Sequence, residues 1–224
     1  MDKNLKFYDL FQHADFINER HGMDSIAVDS IPIPGAEVDP EWKNYIIPTW
    51  VADQSFKTCP AIQDAVIARA KHPAFGYFKP RDEYFEGIIR WQKNQYDSDV
   101  TRDDIVYANG LLGGVISALN VFCEKGANVL LHAPTYIGFT GCITNNGYHI
   151  VHSWLKKDEN GVWRMDYEDM EKKIVENSIH ATVFCTPHNP CGRVWTKEEL
   201  EKAYAIFEKY DVKVVADQIW ADCI

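Results

Sequence analysis

From residue 104 to residue 217 the chain alternates between strand-like and helix-like hydrophobic patterns, and this alternation constrains the fold more than any other feature. "DIVYA" reads as a strand and "LLGGVISALNVFC" as a helix. "NVLLHA" and "TYIGFTGCITNN" repeat the pair, as do "YHIVHSW" and "DYEDMEKKIVE". "ATVFCT", "TKEELEKAYAIFEKY" and "VKVVAD" complete the series. Short apolar runs separated by amphipathic helices predict an α/β fold, a mostly parallel sheet with helices on both faces. Thr196 and Glu199 predict a capping box at the start of the last helix. Upstream, "CPAIQDAVIARA" predicts a helix with Pro60 in its first turn, and "RDEYFEGIIRWQKNQY" a second amphipathic helix. Residues 1–55 contain "DSIPIPGAEVDPEW" and little periodicity. They read as an N-terminal arm or part of a small domain, and 56–224 as a large domain incomplete at its C-terminus.

Composition narrows the partners. The formal net charge is −10, which repels nucleic acid and anionic membranes, so neither is expected. The six cysteines, Cys59, Cys123, Cys142, Cys185, Cys191 and Cys223, form no CxxC pair and read as reduced thiols of a cytoplasmic protein. No metal is expected. The start, "MDKNLKFYDLF", is charged and does not read as a signal peptide. No apolar stretch approaches the roughly 18–20 residues needed to span a bilayer.

In a parallel sheet the carboxyl ends of the strands collect the ligand-binding groups, and four such ends carry distinctive residues. In "YANGLLGGVISAL", Gly110 leads into a helix whose free N–H groups suit a phosphate; a structural turn glycine is the alternative. The spacing is not the G-x-G-x-x-G of dinucleotide folds, which argues against a nucleotide-binding protein despite the βα alternation. In "LHAPTYIGF", Thr135 is placed to cap the next helix and Tyr136 stands at the mouth of the sheet, either stacking on a flat ring or packing in the core. In "FCTPHNPCGRVW", two prolines stiffen a loop that presents Asn189, while His188 reads as a loop or packing residue rather than a base. In "VVADQIW", Asp217 ends an apolar strand. It is either a capping or solvated carboxylate, or the partner of a cationic ring nitrogen. A phosphate cradle, a stacking aromatic, an amide and a carboxylate for a ring nitrogen together match the demands of pyridoxal 5′-phosphate.

On "WVADQSF", "FGY" at 75–77, "APTYIGF", "TPHNPCGRVWTKEEL" and "VVADQIW", the chain resembles fold-type I pyridoxal-phosphate enzymes of the class I/II aminotransferase family. Within them it resembles the MalY/PatB-like cystathionine β-lyase branch of C–S lyases. The resemblance implies that the N–H groups of Leu111 and Leu112, after Gly110, hold the cofactor phosphate. It implies that Tyr136 stacks on the pyridine ring, Asn189 contacts the ring hydroxyl oxygen and Asp217 pairs with the ring nitrogen. Trp220, where other branches place Tyr or His, joins the cofactor contacts, and the "WVAD" loop borders the substrate. Tyr77 would reach the phosphate of a neighbouring subunit, because family sites lie at a homodimer interface. Gln218 departs from the acidic residue usual there. The Schiff-base lysine and the carboxylate-binding arginine of the family are expected beyond Ile224, so no catalytic residue is assigned within the chain, which reads as truncated. The family's strands between 104–108 and 213–217 are likewise expected to be missing. The implied reaction is β-elimination of a sulfur leaving group from an amino acid, giving pyruvate, ammonia and a thiol. The alternatives are an amino-acid aminotransferase and a non-catalytic fragment that acts only by association.

Overall fold

The computed structural model describes residues 20–30, 50–53 and 57–223. Most of the segment read as an arm, and the Gln54–Phe56 end of "WVADQSF", lie outside the described residues. The chain divides into two compact units, Met1–Pro80 and Arg81–Ile224.

In the first unit a single helical turn, Ile26–Asp29, is held by its own aspartate, which accepts the Gly22 and Ser25 N–H groups at 2.9 Å. The Trp50 indole donates to the Ala27 carbonyl at 3.2 Å. Helix α1, Pro60–Ala70, begins at the proline as the sequence predicts, and none of its residues is buried.

The second unit opens with α2, Asp82–Tyr96, and α3, Gly110–Phe122. Strand β1, Asn128–Ala133, leads through α4, Ile137–Asn145, to β2, His149–Trp154. A small antiparallel hairpin, β3 (Lys156–Lys157) and β4 (Trp163–Arg164), precedes α5, Tyr167–Glu176. Strand β5, Ala181–Cys185, α6, Lys197–Lys209, and β6, Lys213–Asp217, complete the unit. The four main strands form a parallel sheet in the order β2-β1-β5-β6. Alternate residues of β1 and β5 serve opposite faces. Leu130 and Phe184 join Met170 and Ile174 of α5 and Ala203 and Phe207 of α6. Val129, Leu131, Ala181 and Val183 join Val115 and Leu119 of α3 and Phe139 and Ile143 of α4. Burial on both faces is why these strands read as continuous apolar runs. Among the described residues no helix is long and apolar enough to cross a membrane.

One expectation about the elements needs correction. "DIVYA" is not a strand: Arg102–Asp104 is a 3-10 turn, 105–108 pairs with no strand among the described residues, and Val106 and Tyr107 are 86% and 72% exposed. A β-favouring sequence becomes a strand only where an edge supplies hydrogen-bond partners, and the described sheet supplies none to this segment. The β3–β4 hairpin was not anticipated. Its signal is the Asn160-Gly161 dipeptide, with Gly161 at φ 77°. Asp158 closes the turn by accepting the N–H groups of Asn160 and Val162, both at 2.9 Å.

Candidate functional site

The order β2-β1-β5-β6 contains a switch point. From β1 the chain leaves through α4 on one face, and from β5 through α6 on the other. The segments leaving β1 and β5 diverge there, and in open α/β sheets such a switch point at the strands' carboxyl ends marks the crevice that binds ligands.

Asp217 is the last residue of β6, in register with Cys185 at the end of β5. It is only 4% exposed. Its Oδ1 accepts the Ile219 N–H at 3.1 Å, and the Cys185 thiol lies 3.8 Å from Oδ2. No lysine or arginine among the described residues pairs with it. A carboxylate withdrawn from water without a cation is costly, and a protonated ring nitrogen would supply the missing partner. Burial, joined by the Asp217 charge, pushes the Cys185 thiol up to about 11, so it stays protonated.

The loop after β5 is closed on itself. The His188 N–H donates to the Arg193 carbonyl, and the Gly192 N–H donates to the His188 carbonyl, both at 2.7 Å. Arg193 is held in turn. Its Nε donates to the Trp163 carbonyl at 2.8 Å, its guanidinium grips both oxygens of Glu199, and it lies 4.9 Å from the Trp195 ring centroid. Arg193 is therefore structural, a role that the sequence did not reveal. Asn189 is half-buried, and its side-chain amide bonds to no described residue.

After β1, Tyr136 occupies the N-cap position of α4 with no side-chain cap bond, which corrects the expectation that Thr135 caps this helix. The Tyr136 ring, half-exposed, stands edge-on to Phe139 with centroids 5.4 Å apart. It also lies across Gly138, where a Cβ would come within 2.3 Å of Cε1. Only glycine leaves that ring position free. The "Y-x-G" spacing was the available signal.

Helix α3 packs on β5 and β6, and its C-terminal end feeds directly into β1. Its N-terminus therefore faces the strands' carboxyl ends. Gly110 has φ 73°, a conformation that favours glycine, and Asn109 gives no side-chain cap. The N–H groups of Leu111 and Leu112 thus receive no acceptor from that side chain, as an anion site requires. Trp220 follows β6 in a turn and is partly exposed. Asp222, two residues on, accepts from the Trp91 indole at 3.1 Å and from the Tyr96 hydroxyl, which ties the turn to α2. Tyr77 lies in the first unit, fully exposed. Tyr136, Asn189 and Asp217 thus stand on three adjacent strand ends, with the start of α3 facing the same end. Lys213 stands at the opposite end of β6 and pairs with Asp211 at 2.5 Å.

Residues 51–224 match the family model described as aminotransferase class I and II. Cystathionine beta-lyase PatB of Bacillus subtilis is 33% identical over 176 residues, 79% of this chain and 45% of that protein. Protein MalY of Escherichia coli is 29% identical over 180 residues, 80% of this chain and 46% of that protein. Among solved structures, cystalysin from Treponema denticola, which contains a pyridoxal 5′-phosphate cofactor, superposes with a TM-score of 0.78 at 30% identity, over 89% of this chain and 50% of that one. The chain spans about half the length of the curated relatives it matches. Its parallel α/β sheet, its strand-end loops and the match over most of its length make it a member of the aminotransferase class I and II family.

Proposed function

We propose that the carboxyl end of the sheet holds pyridoxal 5′-phosphate and that the chain is part of a C–S β-lyase. On this reading residues 56–224 are part of the cofactor-binding large domain and 1–55 an N-terminal arm or part of a small domain. The observation that carries the proposal is Asp217, a buried carboxylate with no described cationic partner at the switch-point end of the sheet. Of the relatives named above, PatB is a cystathionine beta-lyase and cystalysin contains this cofactor, which supports the same reading.

Each residue's part follows from its chemistry. The Leu111 and Leu112 N–H groups, at the positive end of α3, bind phosphate oxygens. The Tyr136 ring offers a flat apolar face and fixes the plane of a pyridine ring. The Asn189 amide donates to a ring oxygen and orients it. Asp217 holds a proton on the ring nitrogen by charge pairing in a dry site. Trp220 closes the edge of the crevice. When bound, the cofactor supplies the electron sink for cleavage at the amino acid's carbons. The products proposed for the whole protein, with water consumed, are pyruvate, ammonia and a thiol. The family description favours amino-acid transamination as a second reading.

A homodimer is part of the proposal: Tyr77 and the α1 residues Ile62 and Val66 are exposed, as residues facing a partner copy would be in an isolated chain. The six free cysteines support a cytoplasmic location. The test is titration of the chain with pyridoxal 5′-phosphate, followed by quenching of tryptophan fluorescence. The wild type should bind at least tenfold more tightly than Asp217→Ala, and at least tenfold more tightly than it binds pyridoxal without the phosphate. Equal affinities across these comparisons overturn the proposal.

A further inference from the structure

The segments that diverge at the switch point are joined by one side chain. His188 is 3% exposed, and its Nε2 lies 2.9 Å from the carbonyl oxygen of Pro134, on the segment leaving β1. A carbonyl only accepts, so Nε2 carries the proton and donates. The imidazole is otherwise fixed. Its own backbone is bonded on both sides to the turn at Gly192 and Arg193, and its ring packs at 5.6 Å on Trp195. Trp195 is anchored to β5 through its indole, which donates to the Cys185 carbonyl at 3.2 Å. Burial keeps the ring neutral by holding its pKa below the ordinary histidine value. The residue next to His188 is Asn189, and Tyr136 lies two residues beyond Pro134. The hydrogen bond therefore spans the crevice between the two loops that carry the amide and the aromatic face.

We propose that His188 is a positioning residue: its Nε2–H bond to the Pro134 carbonyl sets the separation between Asn189 and the Tyr136 ring. Its link to cofactor binding rests on the reading above, whereas the clamp itself does not. Without the bond each loop keeps its own internal ties, but nothing described holds one loop against the other at this point. The carbonyl of the half-buried Pro134 would also lose its donor.

The test compares three variants of the full chain by hydrogen exchange and by binding. His188→Phe keeps a flat ring against Trp195 but has no donor. His188→Asn keeps an amide too short to reach Pro134. His188→Gln places an amide N–H₂ near the position of Nε2. Exchange in 135–139 and 186–193 should accelerate at least fivefold in the Phe and Asn variants, stay near wild type in the Gln variant, and remain unchanged across α6 in all three. If the Phe variant does not fold, the contrast between Asn and Gln decides. Equal exchange in those two variants, or acceleration confined to 186–193, overturns the proposal. With pyridoxal 5′-phosphate as probe, the Asn variant should bind at least fivefold more weakly than the Gln variant. A wild type that does not bind the probe sinks the cofactor reading, while the exchange result still decides the clamp.

Discussion

A single residue separates stability from function most clearly at Asp217. Its carboxylate is buried with one backbone N–H and a thiol for company. Asp217→Asn keeps an acceptor for the Ile219 N–H and removes the unpaired charge. The ligand-free chain should gain about 1 kcal/mol in urea unfolding, while affinity for pyridoxal 5′-phosphate falls. A variant that is both less stable and equally able to bind would refute this account. Gly138 gives the complementary case. A methyl group there would sit where the Tyr136 ring lies. The half-exposed ring can swing away, so Gly138→Ala should change stability by less than about 1 kcal/mol. Binding should nevertheless weaken, by up to about tenfold, because the stacking face has moved. Asp217 stood out in the sequence because an acid at the end of an apolar run contradicts its surroundings. Gly138 carried only the weaker "Y-x-G" signal, because its importance lies in where a neighbouring ring comes to rest.

At the scale of elements, the sequence was most legible where one segment satisfies itself. The capping box at α6 forms as predicted: Thr196 accepts the Glu199 N–H at 3.2 Å, and Glu199 accepts the Thr196 N–H at 2.9 Å. Legibility failed where an element depends on a partner. The apolar alternation of 104–108 is strand-like, yet no described neighbour completes it. Glu199 shows both sides, since the cap was readable and its pairing with Arg193 and Arg164 was not. Thr196→Ala loses one cap bond and should cost about 1 kcal/mol. Glu199→Ala also strips Arg193 of its carboxylate partner and should cost about 2–4 kcal/mol, measured by urea unfolding. Burial alone would raise the Glu199 carboxyl, but the Thr196 N–H and the two guanidiniums outweigh it, and the net shift is downward. A lowered carboxylate contributes stability that is present above the ordinary glutamate value and lost as pH falls through the lowered one. The acid limb of the stability profile should therefore be shallower in Glu199→Gln than in the wild type.

Over the whole molecule, the sheet should respond to mild acid before its paired carboxylates do, because of a histidine that drew no functional reading from the sequence. His132 lies within β1, buried edge-on against Phe184 at 5.5 Å, and its Nε2 has no hydrogen-bond partner among the described residues. Burial, with His188 nearby acting in the same direction, pushes its pKa down to about 3. In the unfolded chain a histidine titrates near 6.5. Between these values the unfolded state binds a proton that the folded state refuses, so stability falls as pH falls, by about 2 kcal/mol from pH 7 to pH 5. His188 and His152 are also lowered by burial and add to the slope. Carboxylates with lowered values, such as Asp158 and Glu199, titrate below this window, so the histidines govern it. His132→Leu removes both the proton site and the orphaned nitrogen at similar volume. Urea midpoints at pH 7 and pH 5 should lie closer together in that variant by the equivalent of about 2 kcal/mol, whatever its absolute stability. An unchanged gap would mean that His132 reaches a proton acceptor or water in the folded state, and that the acid sensitivity of the sheet originates elsewhere.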